Sequence, residues 1–99
     1  LPKTRKLKAI VTGRLDKFRK ETEDWLARYN IKYNELIMFP TERREQRDAN
    51  HVEEVGKYKA DVHKRSNAIF FMESEKEEGK VIRKHSHKRV ILPNDGLLL

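Results

Sequence analysis

The 99-residue chain contains no cysteine. That absence excludes a disulfide scaffold and every thiolate metal site. Long apolar runs are missing too: none approaches the roughly 20 residues of a membrane span, and no signal peptide is read at the start. A cytoplasmic, reducing setting without a membrane partner is the expectation. No Gly-rich phosphate loop, nucleophile elbow or glycosidase carboxylate pair occurs either. The four histidines, His51, His63, His85 and His87, fall at spacings that match no zinc pattern. What the chain does have is charge. Charged residues make up 39% of it and apolar ones 36%, so a narrow core under an ionic surface is expected, in one domain spanning residues 1–99.

The net charge of +7 is unevenly spread. Residues 1–20 hold eight bases (Lys3, Arg5, Lys6, Lys8, Arg14, Lys17, Arg19, Lys20) against Asp16 alone, and residues 80–89 hold five (Lys80, Arg83, Lys84, Lys88, Arg89) with no acid. Residues 21–79 carry ten basic and fourteen acidic side chains. If the two basic ends meet, they form one face suited to nucleic acid or another polyanion. If they do not, they are ordinary solvated surface.

Apolar periodicity changes repeatedly along the chain. Leu7–Thr12 is a short β-branched run ended by Gly13, the pattern of a buried strand. From Arg14, Leu15, Phe18, Thr22, Trp25, Leu26 and Tyr29 form a helical stripe, with Asn30 placed as a left-handed cap. Core or helix-packing roles are expected for Trp25, Tyr29 and Tyr33 rather than base stacking. Glu35–Phe39 reads as a second strand stopped by Pro40. Residues 41–50 have almost no apolar face and read as a loop or exposed helical turn. Val52, Val55, Tyr58 and Val62 then give a second stripe behind a capping box of Asn50 and Glu53. Ala68–Met72 is the most strand-like run. Ser74 and Glu77 are spaced as another capping box, opening a helix with Gly79, Ile82 and Val81 inward. Arg89–Leu92 is a last strand before Pro93, and residues 94–99 show no period.

The expected order is thus β-α-β-α-β-α-β. Short, nearly continuous apolar strands between amphipathic helices predict an α/β fold, a small three-layer Rossmann-like parallel sheet of about four strands. Placing strands 1 and 2 on one side and strands 3 and 4 on the other creates a switch point beyond the carboxyl ends of strands 1 and 3. Those ends carry Thr12-Gly13-Arg14 and Glu73-Ser74-Glu75. A hydroxyl, free backbone amides and a cation suit a phosphate. The carboxylates of Glu73 and Glu75 suit Mg²⁺, a hard ion that takes oxygen ligands. Lys59, on the helix before strand 3, is placed to reach a phosphoryl oxygen. Each feature also has a plainer reading: Thr-Gly is a common strand stop, acids favour a helix N-terminus, and a lone helical lysine is ordinarily solvated.

Taken in order, Ala9-Ile10-Val11-Thr12-Gly13-Arg14, the stretch Phe18–Leu26, Ile31–Met38, Tyr58-Lys59-Ala60-Asp61-Val62 and Ala68–Ser74 resemble the haloacid-dehalogenase-like (HAD) phosphatase fold over roughly residues 7–93. The segment is similar to those found behind phosphoribosyltransferase domains in some bacterial and phage proteins. The resemblance implies that Thr12 holds the phosphoryl group, with Gly13 and Arg14 beside it, and that Lys59 neutralises phosphate and nucleophile charge. It implies that Glu73 stands where the family positions Mg²⁺. Here Ser74 and Glu75 follow, where active members commonly show paired acids. The family's first strand carries an Asp-x-Asp nucleophile and acid, and it lies between the strands ending at Thr12 and Met72. The six residues before Leu7 contain no acid, and Asp16 and Asp61 both fall on helices. Covalent phosphoryl transfer needs that carboxylate.

The expected function is therefore a truncated HAD-like module that binds a phosphate-bearing ligand or forms part of a split phosphatase, incomplete as a catalyst by itself. A missing central strand leaves unpaired edges, so strands 1 and 3 are expected to pair directly or to be covered by another chain, in a homo-oligomer or with a protein partner. The alternative is a basic nucleic-acid-binding protein, or a partner-docking assembly or inhibitor protein, on an inactive scaffold.

Overall fold

The computed structural model describes residues 7–93 and the backbone of 97–98. The chain contains β1 (Leu7–Leu15), α1 (Arg19–Arg28), β2 (Tyr33–Phe39), α2 (Arg44–Ala49), α3 (His51–Arg65), β3 (Phe70–Met72), α4 (Lys76–Ser86), β4 (Arg89–Leu92) and β5 (Leu97–Leu98). Single 3-10 turns precede α1 and α2. The architecture is mixed α/β, and the chain divides into two compact units, one ending at Arg44 and one beginning at Glu45. The expected single four-stranded sheet is not shown. β1 and β2 make one parallel pair, while β3, β4 and β5 make a second sheet in that order, parallel between β3 and β4 and antiparallel between β4 and β5. The bases Lys3, Arg5 and Lys6 lie outside the described residues, as do Asn94, Asp95, Gly96 and Leu99.

The first unit is a β-α-β unit. Its β1 strand runs past Gly13 to Leu15, further than the Gly13 stop suggests. The register passes from Thr12 opposite Met38 to Leu15 opposite Phe39, so Gly13 and Arg14 are accommodated in a bulge. Leu15 thereby belongs to the strand and is buried there, not on the helix; one apolar residue at a strand–helix junction satisfies either period. Helix α1 buries only Thr22 and Leu26. Leu26 packs with Leu36 and Met38, and Ile10, Ile31 and Tyr33 close over them. The helix ends as a Schellman motif: Asn30 adopts φ 56°, its amide donates to Ala27, and the Ile31 amide donates to Leu26. Trp25 and Tyr29 stay outside this core, 48% and 60% exposed, with ring centroids 4.8 Å apart. Of the three aromatics expected in packing roles, only Tyr33 packs on this core.

In the second unit, β3 and β4 flank α4 in sequence, a second β-α-β. Ala60, Ile82, Val90 and Leu92 form its core, with Phe71 against them. Helices α3 and α4 cross at Gly56, where an added Cβ would lie 2.6 Å from Val81 Cγ1 and 2.7 Å from its Cβ. The buried face of α3 is Val55, Gly56, Lys59, Ala60 and His63, rotated from the expected valine stripe, of which Val52 is exposed. Neither expected capping box forms. Asn50 is the N-cap of α3 but makes no side-chain cap bond, and the N-cap of α4 is Glu75, whose carboxylate accepts from the Glu77 amide. Strand β3 is shorter than the 68–72 run: the Ala68 amide is taken by Ser66 Oγ, and Ile69 is 72% exposed. Lys88 is not free surface charge. Its ammonium caps the end of α3, donating to the carbonyls of His63 at 2.7 Å and Ser66 at 2.9 Å.

His63 is fully buried, with its ring 5.3 Å from Phe71 and Nε2 3.1 Å from the Arg89 carbonyl. Burial lowers its pKa, the Arg89 bond opposes this, and nearby Lys88 lowers it further. A histidine depressed in the folded state binds its proton more readily when unfolded. The urea midpoint is therefore expected to fall as pH drops through about 6.5, the ordinary histidine value, and to level off below the depressed pKa. His63→Phe should flatten that acid limb; an unchanged limb would show that other groups cause it.

Candidate functional site

The second unit brings together two residues that sequence reading singled out. Lys59 reaches from the middle of α3, and Glu73 follows the last residue of β3, held there by its amide bond to the Ile91 carbonyl. The Lys59 ammonium lies 2.8 Å from Glu73 Oε1 and 3.0 Å from Oε1 of Glu78, which α4 supplies. All three side chains are nearly inaccessible, 11%, 7% and 10% exposed respectively. Burial alone would lower the lysine pKa, but hydrogen bonds and charge from Glu73 and then Glu78 outweigh it, and Lys59 titrates above the usual lysine range. The second oxygen of Glu73 accepts from the Glu75 amide at 3.1 Å. That of Glu78 faces His51 Nε2 at 4.0 Å. No buried side-chain nitrogen or oxygen lacks a partner among the described residues.

Glu78 was missed because an acid in the first turn of a helix has a sufficient local reason to be there. The signal lay in spacing. Glu78, Gly79, Ile82 and Ser86 recur with helical period and are the buried residues of α4, as Gly56, Lys59, Ala60 and His63 are in α3. Small residues beside a charged one mark a face where helices meet closely and a charge must be paired.

Thr12, Gly13 and Arg14 belong to the first unit. They sit in the β1 bulge, not at a helix N-terminus, and Thr12 Oγ1 accepts the Arg14 amide at 3.2 Å. The same end of β1 leads into Asp16, whose carboxylate binds the hydroxyl and amide of Thr41, just past β2. Those bonds hold the Asp16 pKa below the ordinary aspartate value. Asp61 pairs with Arg65 on the exposed side of α3.

The residues proposed for Mg²⁺ are turned elsewhere. Glu73 spends its oxygens on Lys59 and the Glu75 amide, and Glu75 accepts from the Glu77 amide. No group of three or more His, Asp or Glu that could hold a metal ion occurs among the described residues. No helix of the described residues is long and apolar enough to cross a membrane. Comparison with protein-family models, curated proteins and solved structures finds no match.

Proposed function

We propose that this chain is a HAD-like module that handles a phosphate-bearing ligand and completes its chemistry only with a nucleophile strand supplied from elsewhere. The observation that supports the reading is the 2.8 Å contact between Lys59 and Glu73. These residues lie fourteen positions apart on different elements, and the resemblance implies that Lys59 neutralises phosphate charge and that Glu73 stands where Mg²⁺ is positioned. In this reading Lys59 presents positive charge to a phosphoryl oxygen, and Glu73 holds the ammonium charged and in place. Mg²⁺ enters only through the resemblance, and no step is routed through it.

The sequence contains no Asp-x-Asp pair, so the residue that would accept a phosphoryl group covalently is not among these 99. The free edge of β3 is where such a strand would add. Phe70 and Met72 alternate onto one side of β3, half exposed, and β4 is its only strand partner among the described residues. The chain by itself is expected to release no p-nitrophenol from p-nitrophenyl phosphate above the buffer rate with Mg²⁺ present. Robust turnover by this chain alone would contradict the reading.

A further inference from the structure

Glu78 has no part in the resemblance, yet it holds Lys59 almost as closely as Glu73 does. One ammonium with one carboxylate would be a neutral buried pair. The second carboxylate leaves the cluster with an excess negative charge in a nearly dry site, where unbalanced charge is costly. Tight pairing of Lys59 needs only Glu73. Glu78 does something a pair does not require: it occupies a second of the three N–H donors of Lys59 and sets a negative charge 3.0 Å from Nζ, which an anion approaching the ammonium would meet. It also has somewhere to go. Its other oxygen faces His51 Nε2 at 4.0 Å, and the His51 side chain is 57% exposed.

We propose that Glu78 is an autoinhibitory mask on Lys59, which a phosphate-bearing ligand must displace toward His51 before the ammonium can serve it. This rests on the reading of Lys59 as a phosphate group. The mask weakens anion binding twice over: it takes up a donor, and it repels the incoming charge at close range. Glu73 is not displaced, because its second oxygen is tied to the Glu75 amide and its own amide to Ile91.

The test titrates inorganic phosphate into the full chain and follows the Lys59 Nζ resonance in lysine-labelled protein, for the wild type and for Glu78→Gln. The variant keeps the size of the side chain and leaves Lys59 neutralised by Glu73, and a retained amide spectrum verifies the fold. Glu78→Asp, one methylene too short to keep the contact, unmasks by a second route. We expect Glu78→Gln to bind phosphate at least about tenfold more tightly, a change equivalent to about 1.4 kcal/mol, with Glu78→Asp shifted the same way. Equal or weaker binding by the variants, with Lys59 responding in each protein, overturns the mask and leaves the phosphate reading standing. A Lys59 resonance that ignores phosphate in every protein overturns both.

Discussion

Lys59→Met is expected to destabilise the protein by about 3–5 kcal/mol at pH 7, the cost of removing one partner from a buried ion cluster. The loss does not come from the missing attraction alone. Glu73 and Glu78 would remain buried, with their carboxylates facing a methyl group and each other. In that variant two buried carboxylates lack their counter-ion, so the deficit is full at neutral pH. It should shrink as pH falls and the carboxylates take up protons. Urea denaturation at pH 7 and pH 4.5, followed by far-ultraviolet circular dichroism, reads both effects. Adding Glu78→Gln to Lys59→Met should recover part of the loss, because the two changes touch one cluster and do not add. In the wild type the sign runs the other way. The raised Lys59 pKa contributes stability that is full below about 10.5, the ordinary lysine value, and is lost as pH rises through the higher folded value. A deficit in Lys59→Met as large at pH 4.5 as at pH 7 would show that the loss is not electrostatic.

Gly56→Ala should cost about 1–3 kcal/mol, as overpacking of a core does, although alanine is favoured over glycine inside a helix by about 1 kcal/mol. The two effects oppose each other, and geometry decides which wins. A methyl at position 56 would overlap both Cβ and Cγ1 of Val81, and a β-branched side chain on a helix has essentially one rotamer available. Val81 cannot swing clear, so α3 and α4 must move apart. Lys59 and Glu78 stand on those two helices and depend on their separation. Gly56→Ala should therefore lower the urea midpoint and loosen the contact between Lys59 and Glu78 together. Val81→Ala should restore much of the stability in the double variant. A stabilising Gly56→Ala would mean that the helices cross less closely at that point.

Element order was legible because each short apolar run and each helical stripe has its own period and its own terminator. Asn30 illustrates how far local chemistry reaches: a residue tolerant of positive φ at the end of a stripe predicts a left-handed cap, and the Schellman bonds form there. Junctions were less legible. Leu15 satisfies the helical stripe and the strand equally, and only its pairing opposite Phe39 decides for the strand. The neighbours were legible, since β1 pairs with β2 and β3 with β4 as expected. A single sheet joining the two pairs is not shown, since a parallel strand states its burial more plainly than its full set of neighbours.

The site shows the same contrast. Lys59 and Glu73 stood out through an ordered resemblance. Glu78 and His63 did not, because hydrophobic periodicity treats a buried polar residue as a break in the face it belongs to. Of the stripe Val52, Val55, Tyr58 and Val62, Val55 lies on the buried side of α3, which otherwise runs through Gly56, Lys59, Ala60 and His63. Lys88 belongs by charge to the basic stretch 80–89, but the carbonyls at the end of α3 take its charge.

The most direct test of Lys59 as a phosphate-handling group is its side-chain nitrogen resonance in the full wild-type chain, recorded while inorganic phosphate is added at constant ionic strength. An ammonium held by two buried carboxylates should give a resolved, slowly exchanging signal at neutral pH. Saturable movement of that signal, with the amides of residues 73–78 moving at the same phosphate concentration, is the predicted result. A Lys59 signal that stays fixed while exposed lysines respond would contradict the account.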